Sequence, residues 1–61
     1  MSIKKFCYEV HAITPNGSPK VTFPVADTDE EAVDEALAVL PRGSRVTLVV
    51  NQDTGKRWRL L

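Results

Sequence analysis

The residues in this chain whose types could support chemistry are few, and their spacing argues against most reactions. One imidazole, His11, and one thiol, Cys7, make the only nucleophile–base combination of that kind. Four positions apart on an extended segment, they fall on the same side but about 13 Å from each other. A cysteine–histidine couple needs hydrogen-bond contact, so two outward-facing strand residues are the simpler reading. Ser18, Ser44 and Thr54 lie in turn-like segments with no second histidine to activate them. Glu31 and Glu35 stand four apart on an exposed helical surface, which suits solvation better than acid–base work in a pocket. A single cysteine cannot close an internal disulfide, and a single histidine leaves no zinc-ligand spacing. The chain is also too short to enclose a pocket of ordinary ligand volume. The expectation is a non-enzyme with no catalytic residues, metal or cofactor.

What remains is ionic recognition. Acids and bases number eight each, so the net charge says nothing, but their distribution does. Six of the eight acids, Asp27, Asp29, Glu30, Glu31, Asp34 and Glu35, fall within nine residues, while Arg42, Arg45, Lys56, Arg57 and Arg59 share the C-terminal part with Asp53 alone. The molecule should have an acidic pole and a basic one.

The elements that would position these charges can be read from periodicity. From Lys4 to Ile13 the residues alternate, with Phe6, Tyr8, Val10 and Ala12 on one side and Lys5, Cys7, Glu9 and His11 on the other, the pattern of a half-buried strand. Residues 14–19, with Asn16-Gly17 between two prolines, predict a hairpin turn. A second strand over Lys20 to Ala26 would then set Val21 opposite Ala12, Phe23 opposite Val10 and Val25 opposite Tyr8. Pro24 has no N–H to donate, which makes this an edge strand. Asp27-Thr28-Asp29-Glu30-Glu31 opens a helix, with Thr28 and Glu31, or Asp27 and Glu30, in capping-box spacing and carboxylates at the positive end of its dipole. Its apolar stripe is Val33, Ala36, Leu37 and Leu40, and Pro41 and Gly43 end it. Ser44 to Val50 predicts a strand with Val46, Leu48 and Val50 inward. A three-residue loop, Asp53-Thr54-Gly55, with Gly55 left-handed, sets Trp58 opposite Val50 and Leu60 opposite Leu48.

These elements specify an α+β fold in the order β-β-α-β-β: a four-stranded antiparallel sheet, order 2-1-3-4, with one helix packed on one face and a right-handed crossover. Residues 1–61 make one domain, near the size at which a lone core just outweighs chain entropy. No apolar run approaches the length of a membrane span, and Met1-Ser2-Ile3-Lys4-Lys5 leads into the first strand without a signal-peptide hydrophobic region. With the lone cysteine, this favours a cytoplasmic setting.

With Phe6, Tyr8, Phe23 and Trp58 under the helix, the bare face should show Lys5, Cys7, Glu9, His11, Lys20, Thr22, Arg45, Thr47, Val49, Arg57 and Arg59. That face is basic, and Lys5, Arg45, Lys56, Arg57 and Arg59 are the expected partner-binding residues. Sheet platforms that read single-stranded RNA stack bases on aromatic rings, and here all the rings belong to the inward set, so nucleic acid is the alternative partner rather than the first. Acids in a first helical turn usually cap and solvate, yet Asp29, Glu30 and Asp34 form a secondary acidic contact in reserve. Val49, Cys7 and the edge strand would also suit a homodimer.

Two stretches resemble known families. Val46-Thr47-Leu48-Val49-Val50, followed by Asp53-Thr54-Gly55-Lys56-Arg57-Trp58, resembles the end of short type I-F anti-CRISPR proteins, in which a polar turn leads into Gly-Lys-Arg-Trp. The resemblance implies a phage-encoded inhibitor that binds a Cas effector complex in the host cytoplasm without catalysis. Val21-Thr22-Phe23-Pro24 through Asp27-Thr28-Asp29-Glu30-Glu31-Ala32 is similar to the strand-to-helix step of HicB-type antitoxins, which block a toxin. The glycine-containing loop of that family is missing here, as is its DNA-binding tail.

Overall fold

The structure is a computed structural model and describes residues 5–60. Lys4, the expected start of the first strand, and the rest of the N-terminal segment read for a signal peptide as far as Lys4 lie outside the described residues. Along the chain run β1 (Phe6–Ile13), β2 (Pro19–Thr22), β3 (Val25–Ala26), α1 (Asp29–Val39), β4 (Arg45–Asn51) and β5 (Arg57–Arg59). All strand pairs are antiparallel, in the order β2-β1-β4-β5, with β3 also paired to β1. The fold is α+β, and the sheet has five strands rather than four. The expected second strand is divided at Phe23-Pro24, where the proline cannot donate to a ladder; its carbonyl instead accepts from Tyr8 N–H at 2.9 Å.

Loop geometry decides which side chains meet. In the first hairpin Thr14 N–H donates to Ser18 O at 2.9 Å, so Pro15-Asn16-Gly17 is a three-residue loop. Positive φ occurs at Gly17 (87°) and not at Asn16, which excludes the two-residue turn that needs both central residues left-handed. Thr14 Oγ1 accepts from Ser18 N–H at 3.1 Å and donates to Asn16 Oδ1, holding the loop from within. Val10 therefore faces Thr22, and His11 faces Val21. This is a correction of one residue to the expected register, and a slip of one moves every side chain to the other side of the sheet. Val21 and Val25 stand on the face away from the helix, and Phe23 is 65% exposed instead of buried.

The second hairpin is also displaced by one. Asn51 N–H donates to Lys56 O at 2.8 Å, leaving a four-residue loop, Gln52–Gly55, with Gly55 at φ 80° as its left-handed residue. Asn51, itself buried, accepts from Asp53 N–H and Thr54 N–H through Oδ1, at 2.9 and 3.1 Å. Trp58 pairs with Val49 rather than Val50. Within β4 a bulge lies opposite His11 and Ala12, since His11 pairs with Leu48 and Ala12 with Val46. The extra residue, Thr47, resets the alternation. Val46 and Val49 thus both point to the core, and Leu48 and Val50, expected inward, point out.

Thr28 caps α1, its Oγ1 accepting from Glu31 N–H at 3.1 Å, and Glu31 Oε1 accepts in return from Asp27 N–H at 2.9 Å. The core joins Tyr8, Val10, Ala26, Ala32, Ala36 and Val49, with Phe6, Val33, Leu40, Val46 and Trp58 packed on it. Ala32 and Ala36 let the helix backbone approach Tyr8 and Val10 closely, which turns Leu37, expected in the apolar stripe, outward to 42% exposure. The Tyr8 hydroxyl donates to Asp29 Oδ1 at 3.0 Å and fastens the helix start to β1. Among the described residues no helix is long and apolar enough to cross a membrane.

Candidate functional site

The register of β1, β4 and β5 builds the outer face of the sheet row by row. Val21, His11, Leu48 and Arg59 lie across one line, and Glu9, Val50 and Arg57 across the next. Two shallow hollows meet at Leu48: one of about 280 Å³ lined by His11, Thr47, Leu48 and Arg59, and one of about 260 Å³ lined by Leu48, Arg57 and Arg59. The surface is therefore an apolar pair, Leu48 and Val50, bordered by Arg59 and Arg57 on β5 and by His11 and Glu9 on β1, with Val21 beyond His11, not the evenly basic plane that simple alternation suggests.

The five expected partner-binding residues separate into three places. Arg57 and Arg59 come together on the outer face. Arg45, paired with Ile13, takes the same face at the far end of β4, about 10 Å along the strand from Leu48. Lys56 stands over the Trp58 ring, 5.9 Å from its centroid, on the helix side of the sheet. Lys5 pairs with Asp27 at 3.9 Å and belongs to the acidic end. Of the other residues expected on the bare face, Thr22 and Val49 point to the helix side, opposite each other's β1 partner Val10, and Lys20 pairs with buried Ala12. Thr47 occupies the bulge and donates from Oγ1 to His11 O at 3.3 Å.

The outer-face arginines share with Lys20, Arg42 and Lys56 the lack of an ion pair among the described residues. Among the described residues the ion pairs are Lys5–Asp27 and His11–Glu9, so Arg45, Arg57 and Arg59 have no carboxylate partner there. His11 Nε2 is engaged by Glu9 Oε2, and Cys7 is exposed with its N–H bonded to Asp53 Oδ2 at 2.9 Å. No group of three or more metal-ligating side chains occurs among the described residues. Leu48, Val50 and Val21 were missed by pattern reading, although one signal was present: Val46-Thr47-Leu48-Val49-Val50 places apolar residues at both parities, as a strand covered on both faces does.

On the opposite side, a groove of about 310 Å³ runs between α1 and β5. Val33, Val49, Trp58 and Leu60 form its apolar walls, and the expected secondary acidic contacts Asp29, Glu30 and Asp34 are its rim. Asp29 is held there by the Tyr8 hydroxyl; burial, and then this hydrogen bond, push the Tyr8 phenol above its ordinary pKa of 10.0. Comparison of the chain with family models, curated proteins and solved structures yields no match.

Proposed function

We propose that this chain is a non-catalytic binding protein whose outer sheet face docks on another protein, with Arg57 and Arg59 engaging carboxylates around an apolar contact at Leu48 and Val50. One observation carries this reading: β4 presents apolar side chains to both faces while the helix covers only one, and the uncovered strip is flanked by arginines that have no ion pair among the described residues. A solvated outer face would alternate to polar residues at Leu48 and Val50. Burying that strip supplies the apolar driving force, and the guanidinium groups, planar and weakly hydrated, suit bidentate contacts to acids at its border. The resemblance of the C-terminal hairpin to type I-F anti-CRISPR proteins makes a Cas effector subunit the first partner to test, in the host cytoplasm.

The test is retention of a purified type I Cas effector complex on the immobilised protein, before and after nuclease. Retention that survives nuclease and disappears for Arg57→Glu combined with Arg59→Glu, with an unchanged thermal melt, supports the proposal. Retention lost with nuclease, together with a steep salt dependence on oligonucleotides, moves the function to phosphate contacts on a nucleic acid. Undiminished binding by the double variant removes the arginine face from the account.

A further inference from the structure

The groove between α1 and β5 is a second recognition surface, on the other side of the sheet from the arginine face, and it has three independent properties. Its walls are apolar, with the Trp58 ring as the largest surface and Val33 opposite. Its rim is anionic, with three carboxylates from Asp29, Glu30 and Asp34 and no cation among the lining residues. It also borders a strand edge. Asn51 N–H donates to Lys56 O and Leu60 N–H to Thr47 O, each at 2.8 Å, so the main-chain groups of Lys56 and Leu60 are turned toward β4. In an antiparallel ladder the alternate residues, Arg57 and Arg59, direct theirs the other way, to the open side of the last strand in the sheet.

We infer that this groove binds an extended, cationic segment of a partner protein, which adds a strand to β5 through the free main-chain groups of Arg57 and Arg59 and inserts one apolar side chain between Val33 and Trp58. Strand addition uses main-chain hydrogen bonds for affinity and a pocket for alternate side chains for selection. The apolar residue of such a strand meets the groove every second position. Lysine or arginine next to it along the groove side reaches Asp29, Glu30 and Asp34, and charge complementarity of this kind selects a basic segment over an acidic one. Lys56, already 5.9 Å from the Trp58 centroid, shows that this ring accepts a cation at its face.

Trp58 is the only tryptophan in the chain, so its emission reports the groove directly. The probes are blocked pentapeptides that keep the anchor and the charges on one face of the added strand: Lys-Ser-Leu-Ser-Lys (lysine–leucine), Glu-Ser-Leu-Ser-Glu (glutamate) and Lys-Ser-Ser-Ser-Lys (serine). The lysine–leucine peptide is expected to give a saturable Trp58 shift and to slow amide exchange at Arg57 and Arg59. Glu30→Gln with Asp34→Asn, which leaves the Thr28 cap intact, should weaken it about tenfold. The other two peptides should bind at least about tenfold more weakly, the glutamate peptide through repulsion and the serine peptide through loss of the anchor. A lysine–leucine peptide that produces no saturable shift, an equal affinity for the glutamate peptide, or full affinity in the neutralised variant would each overturn the inference.

Discussion

The N-terminal hairpin turns over three residues and the C-terminal hairpin over four, and the two treat their returning strands differently. In the first, Gly17 closes a loop that places Thr22 over the core and leaves Val21, Phe23 and Val25 exposed. In the second, the loop ending at Gly55 aligns Trp58 with Val49, and the bulge at Thr47 keeps Val46 on the same side. The C-terminal hairpin therefore contributes an aromatic to the core, while the N-terminal hairpin contributes mainly β1 and holds its return strand at the edge. Loop length alone decides the parity of a two-stranded ribbon, and a bulge can restore it.

The largest separation between the hairpins is expected at their aromatics. Trp58→Ala should cost about 3 kcal/mol, a large share of what so small a domain holds, whereas Phe23→Ala should stay within about 0.5 kcal/mol. Urea melts of the two variants check this; a Phe23 variant as damaged as the Trp58 variant would mean that the edge ring belongs to the core. Next come the polar residues that shape the loops. Asn51→Ala leaves two loop N–H groups without their acceptor and removes a buried amide, for about 2 kcal/mol, and Thr14→Val, which removes one acceptor, should cost about 1 kcal/mol. Equal losses would erase the difference in how the two loops are held. The smallest effect is the most even. Gly17→Ala and Gly55→Ala each place a Cβ in open space, so strain from positive φ alone should remove about 1 kcal/mol from either hairpin. Thermal melts that differ between the two by much more than that would show that something besides backbone conformation is at stake.

Much of the fold was legible from residue order. The inward run Tyr8, Val10 and Ala12, the edge position marked by Pro24, the Thr28–Glu31 capping pair and the left-handed Gly55 all depend on interactions within a few residues. The candidate site was legible only in part. Arg57 and Arg59 were readable as a pair because they alternate around Trp58, but Lys56 and Lys5 could not be assigned to other surfaces from spacing, since one depends on the Trp58 ring and the other on Asp27. The apolar strip beside the arginines was hidden for a different reason: alternation counted backward from an assumed turn puts Leu48 and Val50 inside.

The order of residues by itself determined the element types, the antiparallel pairing and the assignment of most acids to the helix start and most cations to the C-terminal hairpin, because capping, alternation and turn chemistry are short-range. Register across the sheet was decided only in three dimensions. Asn16 at negative φ, the fourth residue of the second loop and the bulge at Thr47 each shift a pairing by a single position, and they are selected by which combination brings Val10, Val49 and Tyr8 beneath Ala32 and Ala36. That choice compares packing among segments far apart in the chain, a quantity no local pattern contains.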